Sequence, residues 1–200
     1  MSLIDRVHGG YVHRRRVNAL SDHIVTLIPP GAHMLDVGCG DGSLASLIMH
    51  RRPDITVSGI DVLIRHQTSI PIAEFNGQEI PYDDASFDVV MFVDVLHHTE
   101  DPMTLLREAA RVARQSVIIK DHTRDGLLAG PTLRFMDQVG NARFGVALTY
   151  NYWPKQKWQV AFETLGLRTG VWKTNLGLYP RPASWLFDRT LHFVARLDFQ

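Results

Sequence analysis

Residues 34–45 read Met34-Leu-Asp-Val-Gly-Cys-Gly-Asp-Gly-Ser-Leu-Ala45. A short apolar run from His33 to Val37 meets Gly38, Gly40 and Gly42, and a helical pattern through Leu44, Ala45, Leu47 and Ile48 follows. Strand, tight loop and helix in that order make the first turn of a βαβ unit, where glycine lets the backbone approach a ligand closely. Upstream, Val17, Leu20, Ile24, Leu27 and Ile28 recur at helical spacing until Pro29-Pro30-Gly31 stops them. Downstream, strand-like runs at 55–60, 72–75, 87–93 and 116–120 are separated by a short helical piece after Asp61 and by a helix marked by Leu105, Leu106, Ala109 and Val112. Phe87 to Val93 is apolar almost throughout, as a central strand covered on both faces should be. Strands alternating with helices at this pace predict an α/β parallel sheet.

The chain has 200 residues, 45% hydrophobic, with 21 basic residues against 21 acidic ones. That length suits one compact domain, and a net charge of zero gives no global field toward nucleic acid or anionic lipid. One cysteine excludes an internal disulfide framework and suits a reducing cytoplasm. With no apolar run long enough for a membrane span and no signal-like N-terminus, a cytoplasmic protein is expected.

The division expected is a single domain over 1–200. An N-terminal arm and helix (1–30) precede a ligand-binding core (31–120), then a cover insertion (121–158) and a C-terminal strand pair (159–200). In the cover, Leu127, Leu128, Leu133, Phe135, Met136 and Val139 fall at helical spacing. Lys155 to Leu165 reads as a helix capped by Gly166, and 167–178 and 191–198 as two strands. Without a long crossover helix between them, those two strands pair more easily antiparallel.

The glycine loop carries carboxylates at Asp36 and Asp41, and Asp61 follows the second strand about 20 residues on, where it can accept from ribose hydroxyls. The spacing is Gly38-x-Gly40-x-Gly42 rather than the G-x-G-x-x-G of dinucleotide sites. A pyrophosphate at this helix start would be repelled by the carboxylates. An adenosine bearing a sulfonium and an α-ammonium, with no phosphate, would be attracted.

With these motifs in order over roughly residues 17–122, the chain resembles the class I S-adenosylmethionine-dependent methyltransferases. Within them it is most similar to the type 11 group that includes ubiquinone/menaquinone-methyltransferase-like proteins. The resemblance implies S-adenosyl-L-methionine as cofactor. It also implies a Rossmann-like, doubly wound, mostly parallel seven-stranded sheet with an antiparallel edge strand and helices on both faces. LDVGCGDG (35–42) is similar to the family's first motif, so Asp36, Gly38, Cys39, Gly40 and Asp41 would hold the methionine part. GIDV (59–62) resembles the second, placing Asp61 on the ribose with Val62 beside it. NGQEIPYDDASFDVV (76–90) resembles the third, with Asn76 and Gly77 against the adenine. Asn76 stands where relatives usually carry Asp, and its side-chain oxygen would still accept from the adenine amine. DVLHHTEDP (94–102) resembles the loop after the fourth strand and adds Asp94 and Val95 to the cofactor site.

Outside the glycine loop, His97, His98 and His122 fall at strand ends where the reactive part of a ligand belongs. His97 and His98 read first as loop residues packing the cofactor, with metal ligation alongside Asp94, Asp101 or His122 the least favoured reading. As the second reading they join His122 as candidate general bases, wanted if the acceptor is a hydroxyl or an acidic carbon. Adjacent histidines point apart, so no metal site is expected. Cys39 reads as a small side chain in a tight turn, since no basic partner adjoins it. His13-Arg14-Arg15-Arg16 is a basic run at a helix start, where cations oppose the helix dipole. That placement favours an arm that closes over the ligand, with Tyr11 and Arg14 toward cofactor or substrate. Asp121, Tyr150, Tyr152 and Trp153 are the remaining candidate substrate residues, the aromatics forming a wall in the cover. The expected activity is methyl transfer to a small-molecule acceptor by a monomer or homodimer, without nucleic acid. A protein that holds the cofactor without turnover and an NAD-dependent oxidoreductase are the alternatives.

Overall fold

The computed structural model describes residues 3–141 and 149–199, and the side chains of 14–139 and 149–199. Seven strands form one sheet: β1 (His33–Val37), β2 (Thr56–Asp61), β3 (Ile72–Glu74), β4 (Phe87–Val93), β5 (Ala113–His122), β6 (Leu167–Lys173) and β7 (His192–Phe199). Their order is β3-β2-β1-β4-β5-β7-β6. The first five run parallel, and β7 is inserted antiparallel between β5 and β6. The antiparallel pairings therefore lie at one edge of an otherwise parallel sheet.

The two faces explain why the strands read as apolar throughout. Along β1 and β4, Met34, Val89 and Met91 point to one face, while Leu35, Val90 and Phe92 point to the other. The first face is covered by α1 (Leu3–Ile24) through Leu20 and Ile24 and by α2 (Ser43–Arg51) through Ile48. The second is covered by α3 (Pro102–Val112) through Leu105, Leu106 and Ala109, and by α5 (Lys155–Thr164) through Trp158 and Phe162. Asp101 caps α3 by accepting from Met103 N–H at 3.0 Å, with Pro102 in the first turn. A helix α4 (Ala129–Asn141) and a single turn α6 (Ser184–Phe187) lie outside this frame. Ala129 and Leu133 of α4 pack on Tyr152 and Leu191 as a separate small cluster.

Two expectations need correction. The helix read from Val17 onward begins at Leu3, so the basic run lies in mid-helix and the dipole argument about it falls. The helical piece after Asp61 does not form: residues 62–71 are irregular, and Ser69 N–H bonds Asp41 C=O at 2.7 Å instead of continuing a helix.

Register places the site. Val37 pairs with Ile60 on one side and Phe92 on the other, and Val93 pairs with Lys120. The strands thus finish level, and the segments after β1, β2, β4 and β5 emerge along one edge. The order reverses between β1 and β4, where open α/β sheets take ligands.

Candidate active site

Gly38, Gly40 and Gly42 have φ of +73°, +65° and +72°, a backbone region costly for any residue with a Cβ. A Cβ at Gly38 would stand 2.5 Å from Val95 Cγ2, and one at Gly42 2.5 Å from Ile70 Cγ1. Among the described residues, Gly40 has only Arg65 near it, at 3.8 Å, which leaves one side of the loop open. The Asp61 carboxylate braces this loop: Oδ2 accepts from Gly40 N–H at 2.7 Å and Oδ1 from Leu63 N–H at 2.9 Å. Each oxygen keeps a second lone-pair direction for a ligand hydroxyl. Asp36 is buried one strand away; burial, then the charge of Asp61, raises its pKa to about 7. A cationic ligand group beside it would relieve that cost. A tight glycine loop with its open side at Gly40, a braced acceptor carboxylate and a buried carboxylate beside it fit S-adenosylmethionine better than a pyrophosphate.

The other expected cofactor residues divide. Cys39 packs its sulfur where a Gly59 Cβ would stand, 2.8 Å away, and burial with the Asp36 and Asp61 carboxylates pushes its thiol pKa up. Its small side chain fits the tight turn between β1 and α2. Asp41 Oδ1 accepts from Ser43 N–H at 3.0 Å, closing the turn that leads into α2. Val62 is exposed and packs beside Gly77, whose added Cβ would meet it at 3.1 Å. Asn76 departs from expectation: its Oδ1 accepts from both Gln78 and Glu79 N–H at 2.8 Å, so its acceptor directions close a turn rather than await an adenine.

At the ends of β4 and β5 a buried charge network forms. Asp94, with φ +58°, bonds Arg16 Nη2 at 3.1 Å and Lys120 Nζ, and Lys120 lies 3.3 Å from His192 Nδ1. Burial opposes charge on Asp94, but Lys120 and Arg16 outweigh it and hold the carboxyl well below the usual range. Burial lowers the Lys120 pKa, an effect only partly offset by Asp94. His97 Nδ1 lies 2.6 Å from Asp121 Oδ1, and its Nε2 lies 3.5 Å from Asp137 Oδ2. Burial alone would lower its pKa, yet the two carboxylates raise it to about 10. His122 goes the other way: burial, then the charges of Lys120 and His97, push it down to about 4. Two histidines with a shared Asp121 are thus held in opposite states, His97 charged and His122 neutral.

Adjacent histidines do not diverge as expected. In the 3₁₀ turn Leu96–His98 the rings of His97 and His98 approach to 4.0 Å. Asp94, His97 and His122, and separately His97, His98 and Asp137, bring ligand atoms within 4.8 Å of one another. His97 is common to both sets and already faces two carboxylates, while Asp94 is already matched by Lys120 and Arg16. The donor chemistry is that of a closed ion-pair network.

Among the candidate substrate residues, Asp121 is wholly buried, its Oδ2 accepting from Leu96 N–H at 3.0 Å, so it positions the His97 turn instead of meeting a ligand. Tyr152 stacks on His97 at 5.5 Å and bonds Asp137, and Tyr150 lies 6.4 Å from it, half-buried. Trp153 is not part of a wall: it packs in the main core 4.8 Å from Trp158, because its neighbour Pro154 starts α5 against the sheet. Arg14 is exposed, and Arg16, two residues on, is the arm residue that reaches the β4 end. The Tyr11 side chain lies outside the described residues.

Sequence reasoning missed Arg16, Lys120, Asp137 and His192. Lys120 was visible as a charge closing an apolar strand, and Asp137 as an acid four residues after the buried Leu133. His192 carried no local signal; its register opposite His122 brings it in.

Comparison with known proteins agrees with this geometry. The family described as "Methyltransferase domain" matches residues 35–119. A 27-O-demethylrifamycin SV methyltransferase from Amycolatopsis mediterranei is 33% identical over 110 residues, covering 48% of this chain and 40% of the relative. The chain spans less than half the length of the curated relatives it matches. Among solved structures, a SAM-dependent methyltransferase from Thermotoga maritima superposes with a TM-score of 0.70 at 16% identity, covering 99% of this chain and 96% of that one. A Haloferax volcanii methyltransferase, in complex with the Trm112 methyltransferase activator, gives 0.66 at 16% identity, over 98% and 94%. At such identity these two speak for the fold.

Proposed function

We propose, from the premise that residues 35–119 are a class I, S-adenosylmethionine-dependent methyltransferase domain, that this chain methylates a small-molecule acceptor. The observation that carries the reading is the Asp61 carboxylate braced by Gly40 N–H at the open glycine loop, with Asp36 buried beside it. When bound, S-adenosylmethionine supplies an electrophilic methyl on its sulfonium. The chain's own residues then bind and align. Asp61 accepts from the ribose hydroxyls, Asp36 faces the cationic methionine part, and Val62 with Gly77 borders the adenine. In-line alignment and exclusion of water provide most of the acceleration.

Near the acceptor, His97 is held as an imidazolium by Asp121 and Asp137, so it positions and does not take a proton. His122 is held neutral, and it or His98 receives the proton of a hydroxyl acceptor. Tyr150 and Tyr152 line the acceptor side. The acceptor's small-molecule nature is supported by the rifamycin named for the Amycolatopsis relative. A lone thiol suits the cytoplasm, and no helix among the described residues is long and apolar enough to cross a membrane.

The test is methyl-labelled S-adenosylmethionine incubated with the chain and a cell extract, followed by separation into small-molecule, protein and RNA fractions. Label in the small-molecule fraction is expected. Label confined to protein or RNA overturns the acceptor class, and absence of S-adenosylmethionine binding in calorimetry overturns the reading altogether.

A further inference from the structure

Six of the large apolar side chains left in solvent lie on two elements that touch: Leu127, Leu128, Phe135 and Val139 on and before α4, and Trp185 and Leu186 on α6. Leu127 is 84% exposed and Trp185 72%, so these are projecting side chains and not the rim of a groove. The elements are joined: Phe135 stacks on Phe187 at 6.3 Å, and Arg189 reaches Leu127 C=O and Thr132 Oγ1, each at 3.4 Å. The inner side of α4 is spoken for, since Ala129, Leu133 and Asp137 face Tyr152 and His97. Among the described residues, no element covers its outer side.

Charge identifies the occupant. The same two segments expose Arg124, Arg134, Arg181 and Arg189. Their acids, Asp125, Asp137 and Asp188, are none of them exposed, and each is engaged internally: Asp125 with Lys155 N–H, Asp188 with Leu178 and Tyr179 N–H, Asp137 with Tyr152. A chain of zero net charge has gathered cations around this apolar projection. Projecting Leu, Phe and Trp side chains ringed by arginines suit the headgroup boundary of an anionic bilayer, where apolar tips enter and guanidiniums meet phosphates. A second copy is disfavoured, because a two-fold contact through this face would oppose the arginines to their own counterparts.

We propose that the outer face of α4 and α6 docks peripherally on anionic phospholipid membranes. The docking stands on this surface alone; its consequence, that a lipophilic acceptor would enter beneath α4 from the membrane, rests on the function proposed above.

The experiment is flotation of the full chain with vesicles of phosphatidylcholine alone or with added phosphatidylglycerol, at low and high salt. Two double variants accompany it, Leu127→Ser/Trp185→Ala and Arg124→Glu/Arg181→Glu, with thermal melts to confirm folding and gel filtration to report association. Binding to the anionic vesicles only, weakened by salt and by about tenfold or more in each variant, is expected. Equal binding to neutral vesicles, no binding, or binding that both folded variants retain overturns the proposal. A dimer in the parent chain that the Leu127→Ser/Trp185→Ala variant loses, without vesicle binding, assigns the face to a second copy and overturns it as well.

Discussion

The imidazole of His97 stands 2.6 Å from the carboxylate of Asp121, and both side chains are closed to solvent. The pair joins the turn after β4 to the end of β5, and Asp137 extends it into α4 at 3.5 Å. Helix α4 is therefore tied to the sheet through one charged ring.

That ring makes stability depend on pH. His97 has its pKa raised to about 10 in the folded state, so its contribution is fully present below the ordinary histidine value and is lost as pH rises through about 10. Unfolding free energy measured in urea should fall between pH 7 and 10, and His97→Gln should flatten that fall. The same substitution leaves Asp121 and Asp137 without their shared counter-charge and should cost about 3 kcal/mol at pH 7. An unchanged urea midpoint in the variant would remove His97 from this role.

The Asp61 bracing gives the second prediction. Asp61→Ala removes the acceptor for Gly40 and Leu63 N–H together with the ribose contact proposed above, and S-adenosylmethionine affinity should drop by about 2 kcal/mol, roughly thirtyfold. Gly40→Val should abolish binding while folding persists, because the space around Gly40 is open to the ligand and not to the core. Wild-type calorimetric titrations from either variant would move the site elsewhere.

How far the sequence reaches is visible in these same residues. The glycine loop, Asp61 and the strand–helix alternation are local patterns, and local patterns fix backbone geometry, so the parallel half of the sheet was readable. The charge network was not. Lys120, Asp137 and His192 come from β5, α4 and β7, and only the register of β5 with β7 sets His192 beside His122. Trp153 shows the opposite failure: an aromatic-rich run suggested a cavity wall, but the start of α5 at Lys155 turns that ring into the core. Composition cannot tell which way a loop ring faces. The basic run misled through the helix boundary, since a helix begun at Leu3 puts Arg16 over Asp94 rather than at an N-terminus.

Asp36 supplies a pH test of ligand charge. Its pKa, raised to about 7 by burial and by Asp61, should fall when a cationic ligand binds, so binding releases a proton. Affinity for S-adenosylmethionine should tighten as pH rises from 6 to 8, by up to about tenfold, and calorimetry in buffers of different ionisation enthalpy should count the proton. Asp36→Asn should be weaker and nearly flat across that range. A flat wild-type profile would place the cationic groups away from Asp36.

The aromatic residues of the cover separate by what each ring touches. Trp153 is 4% exposed among Trp158 and its neighbours, so Trp153→Ala opens a core cavity and should lower stability by about 3–5 kcal/mol. Acceptor preference should not change in what remains folded. Tyr152 has a different position, stacked on His97 and bonded through its hydroxyl to Asp137. Tyr152→Phe keeps the ring and loses the bond to a charged partner, a stability cost of about 1.5–3 kcal/mol. Because Asp137 and His97 then hold the acceptor side less firmly, turnover should fall several-fold at saturating S-adenosylmethionine, with cofactor Kd unchanged. The measurement is kcat and cofactor Kd for both variants beside their urea midpoints. A Trp153→Ala protein of normal stability with altered acceptor preference would restore that ring to the cavity, and a Tyr152→Phe protein with weakened cofactor binding would place Tyr152 in the cofactor site.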